Sequence, residues 1–396
     1  MVDLSELIAP LAPEQFLADY WGRKPVHIPA PAGSRRAAVI GWERLNQLLG
    51  IRSHWGPEHI KLLLNSAAVP PDFYMDQVPG RGGARQLADP AKVETFLAMG
   101  ASLVADSVER IAPEVRALTD GLARQFAARV DANLYCSFRG IQAFGSHCDL
   151  QEVFAIHCVG EKRWRIYANR AENPLEPLTG DDAQARIDAA KGPVLMDVTL
   201  RPGDVLYIPR GYFHDALASS TESLHLTIGI TPHSGKLLFE LLQEMALRDP
   251  AFRAYLADAR AQGGQALAAQ LAAFGERLSE LARSRAMLEE VAIRQRQLAA
   301  PGRDLALPER PALEFYARTD RGGAVVWLET GAVLRTGAGD QPLGPIADAA
   351  DYALTRPAVS VQELRARFAH HPEAEIGGLI ALLARLGLLQ PYRPEL

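Results

Sequence analysis

Apolar positions along the chain follow two different periods. Between about Asn133 and Thr231, short runs of β-branched and aromatic residues alternate with Gly, Pro and Asp. Val153-Phe154-Ala155-Ile156, Trp164-Arg165-Ile166-Tyr167, Val205-Leu206-Tyr207-Ile208 and Leu224-His225-Leu226-Thr227-Ile228 are examples. Many short strands with turn signals predict a sandwich or barrel, and a small β barrel with an inner cavity fits best.

On either side of this segment the period is helical. The stretch before about Val130 reads as helices with loops. One helix starts at Pro13 and puts Phe16, Tyr20 and Trp21 on one face, ending before Arg23-Lys24-Pro25; Val26-His27-Ile28 follows as a short strand. Gly80, Gly82 and Gly83, with Arg81 and Arg85, predict a loop across residues 77–86. Leu237, Leu238, Leu241, Leu242 and Met245 form an apolar stripe, and a second helix is expected from about Gln265 to Leu298. After Pro301 a small unit is expected. It has strands at Leu313-Glu314-Phe315-Tyr316 and Ala324–Leu328, then helices near 345–356, 360–369 and 373–386. Ser360-Val361-Gln362-Glu363 has the pattern of a capping box, and Gly387 that of a left-handed helix end. This order of elements resembles a winged helix.

Composition narrows the function. With 42 Lys+Arg against 47 Asp+Glu, the formal net charge is -5, which disfavours a general nucleic-acid coat. Hydrophobic residues make up 48% and charged residues 22%, values of a globular protein. No run of about 18 apolar residues predicts a membrane span, and the N-terminus has no pattern of a secretory signal. Three cysteines, Cys136, Cys148 and Cys158, do not form a disulfide framework. A cytoplasmic setting is the expectation.

The chemistry concentrates in His147-Cys148-Asp149. In a strand, residues i and i+2 share a face, so His147 and Asp149 can reach one metal while Cys148 points away. A lone His-x-Asp recurs by chance; the downstream context strengthens it. Pro202-Gly203-Asp204, a strand, Pro209-Arg210-Gly211 and then His214 is the sequence of turns a barrel needs to return a third ligand. Two His and one carboxylate leave coordination positions open, as non-haem Fe(II) oxygenases require. His157 and His225 read as core or cavity-lining residues, and Cys136 and Cys158 as small buried hydrophobes. Lys162, Trp164 and Ile166 share a face taken as inward, with Arg163 and Arg165 opposite. A buried lysine with no carboxylate partner is costly, and a bound dicarboxylate removes that cost.

Asn133-Leu134-Tyr135, His147-Cys148-Asp149, Glu152-Val153-Phe154 and Gly160-Glu161-Lys162-Arg163-Trp164-Arg165 resemble, in order and spacing, the JmjC-type 2-oxoglutarate oxygenases. More narrowly they resemble the ribosomal oxygenases, which hydroxylate ribosomal proteins. Phe16, Tyr20, Trp21, Lys24 and Pro25 are similar to that family's N-terminal signature. The resemblance implies an α+β protein: a double-stranded β-helix (cupin/JmjC jelly-roll) core with N-terminal helices in 1–234, a helical dimerisation region in 235–300 and a winged-helix domain in 301–396. It implies His147, Asp149 and His214 as Fe(II) ligands, Lys162 as partner of the far carboxylate of 2-oxoglutarate, and Asn133 and Tyr135 as active-site lining. Decarboxylation of 2-oxoglutarate to succinate and CO₂ would be coupled to O₂-dependent hydroxylation of a carbon in a substrate residue. Members commonly carry Pro before the His-x-Asp motif and an acidic or amide residue after it. Here Ser146 precedes and Leu150-Gln151 follows, so the substrate pocket is expected to differ.

Three functions follow. The first is hydroxylation of an Arg or His side chain of a ribosomal protein by a homodimer that does not bind nucleic acid directly. The second is the same chemistry on another peptide, or demethylation. The third is a non-catalytic cupin/winged-helix binding module, which has no need of iron.

Overall fold

The computed structural model describes residues 3–64, 67–80, 82–138, 145–299 and 315–392, and the protein divides into two compact units, Met1–Pro232 and His233–Leu396. In the first unit an antiparallel sheet runs in the order Val26–Ile28, Val205–Ile208, Glu152–Arg170, Tyr212–Pro232, Ala128–Phe138, Ser102–Ala105, Ile60–Leu64, Ala67–Ala68. Val194–Leu200 also pairs with Glu152–Arg170.

The short runs expected at 153–156 and 164–167 belong to a single strand of 19 residues, and 224–228 belongs to one of 21. Each long strand serves two layers. The first half of Glu152–Arg170 pairs with Val205–Ile208, and its second half with Val194–Leu200. The change of layer falls at Gly160. Its φ is 73°, and a Cβ there would overlap the Glu222 carbonyl oxygen, so only glycine fits. Tyr212–Pro232 follows Glu152–Arg170 through both layers, with a register shift between Ala218 and Ser223. Val153, Ala155, Leu206 and Ile208 from one layer meet Trp164, Ile166 and Leu200 from the other in a shared apolar core. This is the double-layered jelly roll that the resemblance implied.

The N-terminal elements cover the outer face of this barrel. Phe16 projects from the helix Pro13–Asp19 and is fully buried, with ring centroids 4.9 Å from Tyr207 and 5.5 Å from Phe154. Trp21 stacks on Phe126 at 4.0 Å. The region before Val130 is not only helical, however. Ile60–Leu64, Ala67–Ala68 and Ser102–Ala105 extend the main sheet, and Met75–Val78 pairs with Arg85–Ala88 as a hairpin around the expected glycine-rich loop. Arg81 of that loop lies outside the described residues.

In the second unit, Lys236–Ala246 buries Leu237 and Leu241 against Met287. The helix expected over 265–298 is two helices, Gln265–Arg283 and Arg285–Ala299. Ser284 between them is extended (ψ 151°), and its Oγ accepts the Met287 N–H at 3.1 Å. Ala358–Ser360, Phe315–Arg318 and Leu389–Pro391 form one small sheet, and Gly323–Leu328, Gly331–Thr336 and Gly339–Pro342 another. Helices Ala347–Thr355, Val361–Arg367 and Glu373–Arg385 lie where the pattern placed them. The capping box at Ser360/Glu363 is formed, and Gly387 is left-handed (φ 67°). Pro301, Leu313 and Glu314 lie outside the described residues. Among the described residues no helix is long and apolar enough to cross a membrane.

Candidate metal centre

His147, Asp149 and His214 converge: their ligand-type atoms all lie within 4.8 Å of one another. The stretch holding His147 and Asp149 does not make the strand expected. It pairs with the strand Tyr212–Pro232 only through a bridge at His147–His214 and a hydrogen bond from Gly211 N–H to the Asp149 carbonyl, 3.0 Å. Gly211 has φ 85°, and a Cβ would overlap the Ala171 carbonyl oxygen. That turn delivers Tyr212, Phe213 and His214 in the observed register. Cys148 faces the other way, toward Tyr167, Ile187 and Phe213.

The hydrogen bonds fix the tautomers. Nδ1 of His147 meets the Gly145 carbonyl at 2.9 Å, and Nδ1 of His214 meets the Tyr212 carbonyl at 3.0 Å. A carbonyl only accepts, so Nδ1 carries the proton in each ring and Nε2 presents a lone pair. Nε2 of His214 stands 3.5 Å from the Asp149 carboxylate. Burial pushes the His214 pKa down to about 4, so no proton occupies that gap at neutral pH. Two facing acceptors need a cation between them. A His₂Asp donor set with open positions fits a divalent iron ion. The His214 side chain is 4% exposed and that of Asp149 36%, so the centre opens on the Asp149 side.

A cavity of about 250 Å³ adjoins the triad, lined also by Tyr135, Val153, Lys162, Trp164, Ala216, His225 and Thr227. Lys162, Trp164 and Ile166 point inward as expected, and all three are buried. Arg163 and Arg165 lie on the outer side, paired with Asp197 and Asp215. The Lys162 ammonium has no ion-pair partner among the described residues; the Trp164 ring lies 5.9 Å away. Burial lowers its pKa to about 8. Around it, Nδ1 of His225 and Nε1 of Trp164 are buried without a hydrogen-bond partner among the described residues, and His225 stacks on Tyr135 at 4.8 Å. Such orphaned polar groups beside an unpaired cation mark a place for a polar anionic molecule. His225 therefore lines the cavity as expected. His157 is buried behind it, with Nε2 on the Gly160 carbonyl at 2.9 Å.

Of the two residues expected to line the site, Tyr135 does. Asn133 stands behind it, hydrogen-bonded to Tyr135 and accepting the Ser107 N–H at 3.1 Å. Sequence reasoning missed a network on the outer side of the triad. Buried Asp215 accepts from Tyr167 at 2.6 Å, Ser146 at 2.8 Å and Arg165 at 2.9 Å. Its signal was an acidic residue directly after the ligand histidine. Cys136 and Cys158 are buried thiols with pKa values pushed up to about 12 by that burial, as inert core residues.

Comparison with known proteins agrees with this geometry. Residues 108–238 match the family model described as JmjC domain. The chain is 30% identical over 226 residues to the bifunctional lysine-specific demethylase and histidyl-hydroxylase NO66 of Drosophila persimilis, covering 57% of this chain and 31% of that protein. It is 30% identical over 223 residues to ribosomal oxygenase 1 of Gallus gallus, covering 56% and 35%. The chain thus spans about a third of the length of these curated relatives. The fold is similar to that of Escherichia coli ribosomal oxygenase YcfD (TM-score 0.50, 19% identity, 96% of this chain and 98% of that one). It is also similar to that of YcfD in complex with cobalt and 2-oxoglutarate (TM-score 0.51, 19% identity, 97% and 99%).

Proposed function

We propose that this protein, whose residues 108–238 match the JmjC domain, is an Fe(II)- and 2-oxoglutarate-dependent protein hydroxylase of the ribosomal oxygenase kind. The observation that carries the reading is the juxtaposition of a His147/Asp149/His214 donor set with the unpaired, buried ammonium of Lys162 in one cavity. A binding module has no use for either.

Iron held there supplies, with O₂ and 2-oxoglutarate, the oxidising power to insert one oxygen atom into a C–H bond of the substrate residue. The protein supplies the rest. His147 and His214 would hold the metal through Nε2, their rings fixed by the bonds at Nδ1, and Asp149 would neutralise one of its charges. Lys162 pairs with the far carboxylate of 2-oxoglutarate. Trp164, His225 and Thr227 wall off the co-substrate from water. The substrate residue enters over Asp149, where the centre is open. The target in this reading is an Arg or His side chain of a ribosomal protein; the relatives' names, a histidyl-hydroxylase and a ribosomal oxygenase, support His and a ribosomal protein. The first of those names also includes demethylation, which the same chemistry would give if the attacked carbon were an N-methyl group.

We assign the second unit to a helical dimerisation region over 235–300 and a winged helix over 301–396. Exposed Phe239 (73%) and Leu288 (70%) support a partnered helical surface. A cytoplasmic setting, beside its ribosomal substrate, completes the reading.

The test is anaerobic reconstitution with Fe(II), then addition of 2-oxoglutarate, O₂ and a ribosomal-protein extract, with peptides followed by mass. A gain of about 16 Da on one ribosomal peptide, one oxygen atom, supports hydroxylation. Loss of a methyl group supports demethylation. Absence of both iron binding and succinate supports the binding module.

A further inference from the structure

In the second unit, far in sequence from the triad, Asp348, His370 and His371 also bring their ligand-type atoms within 4.8 Å of one another. Asp348 is 2% exposed and sits in the helix Ala347–Thr355; the two histidines lie in the turn before the helix Glu373–Arg385. Consecutive side chains diverge in any regular element. Here the turn makes both converge: Nε2 of His370 is 3.0 Å from Asp348 Oδ2, and Nε2 of His371 is 2.7 Å from Asp348 Oδ1. Their rings are 4.2 Å apart.

From this convergence we propose a second metal site, for a zinc-class divalent transition ion, held by Asp348, His370 and His371. Two imidazoles and a carboxylate are the donor types such ions select. The carboxylate is already oriented, because Oδ1 accepts the Ala349 N–H at 2.7 Å and Oδ2 accepts from Arg296 at 3.3 Å. Glu375 Oε2 stands 3.9 Å from Nδ1 of His371, on the side where an Nδ1–H would donate once the proton has left Nε2 for the metal to bind there. The site faces a cavity of about 460 Å³, which leaves room for a water or an external ligand as fourth donor. The Arg296 guanidinium opposes a cation. Yet the charged groups around the site are Arg285 and Arg296 against Glu289, Asp348 and Glu375, an excess of one negative charge. The metal would cross-link the helix Ala347–Thr355 to the turn at 370–371, a structural role separate from oxygen chemistry.

The untagged 396-residue chain is stripped with chelator, dialysed against Zn(II), and its bound zinc counted by elemental analysis. Two ions per molecule are expected in the wild type, one in His371→Ala and one in His214→Ala. Wild-type protein that holds one ion and loses it in His214→Ala overturns the proposal, as does His371→Ala that keeps two. One ion lost in His371→Ala but kept in His214→Ala supports this site while contradicting the first. His370 is partly exposed, so His370→Gln tests the same point without a core change. It should weaken the second ion at least tenfold, and unchanged affinity overturns the assignment.

Discussion

His214 donates its backbone N–H to the His147 carbonyl at 2.8 Å, and His147 returns its own to the His214 carbonyl at 3.0 Å. The two form a hydrogen-bonded antiparallel pair, so their side chains project from one face. Their neighbours repeat the link on the other face, where Ser146 donates to Asp215. The serine that departs from the usual proline thus ties the two ligand-bearing segments together.

Asp215 should therefore act as a positioning residue. Burial pushes its carboxyl pKa up, but hydrogen bonds from Tyr167, Ser146 and Arg165 outweigh this and hold it below the ordinary value. Its stabilising contribution is present above pH ~4 and lost as pH falls through the lowered folded value. Asp215→Ala leaves buried hydroxyls unpaired, at a cost of about 1–3 kcal/mol, and should weaken Co(II) binding about tenfold or more. Denaturant melts and metal titration read both. Unchanged metal affinity would show that the network only stabilises the fold.

Lys162 should trade stability for binding. Its pKa is about 8 in the fold against an ordinary 10.5. Folding therefore carries the cost of a buried ammonium below pH 8, and that cost disappears as pH rises from 8 to 10.5. Without co-substrate, Lys162→Met should stabilise the protein at pH 7 by about 3 kcal/mol. The same change should weaken 2-oxoglutarate binding by about 2–5 kcal/mol. In the wild type, affinity should fall as pH rises above 8. Calorimetry across pH 6.5–9 would count against the pairing if affinity stayed flat.

Gly160→Ala should be among the most damaging single-methyl additions. The new Cβ meets the Glu222 carbonyl oxygen at a left-handed φ. A loss of about 2–4 kcal/mol in unfolding free energy is expected; a loss under 0.5 kcal/mol would mean that the two layers move apart easily there.

The helical surface gives a further test. Phe239→Glu with Leu288→Glu should convert a dimer to monomer in sedimentation at micromolar concentration, with little change in thermal stability. A wild type that is monomeric under these conditions would remove the dimer from the account.

The site was legible because its spacing is local. His147-x-Asp149 needs one extended segment, and the strand Val205–Ile208 with the turn at Gly211 returns His214. Lys162 was legible from strand alternation. Other features were set by tertiary context. Ser102–Ala105 and Ala67–Ala68 carry little strand signal of their own and exist because a neighbouring strand offers pairing. The break at Ser284 lies in a run of good helix formers, Glu276–Glu290, with no Gly or Pro, and only the serine's capping of Met287 marks it. The Asp215 network joins residues up to 69 positions apart, beyond any local pattern.

The most direct test of the central claim is succinate formation from 2-oxoglutarate by the Fe(II)-loaded protein under O₂, compared with His214→Ala of verified fold. The account predicts turnover in the wild type and its loss, by a hundredfold or more, in the variant. Equal succinate from both, or none from an iron-loaded wild type offered its peptide substrate, would contradict it.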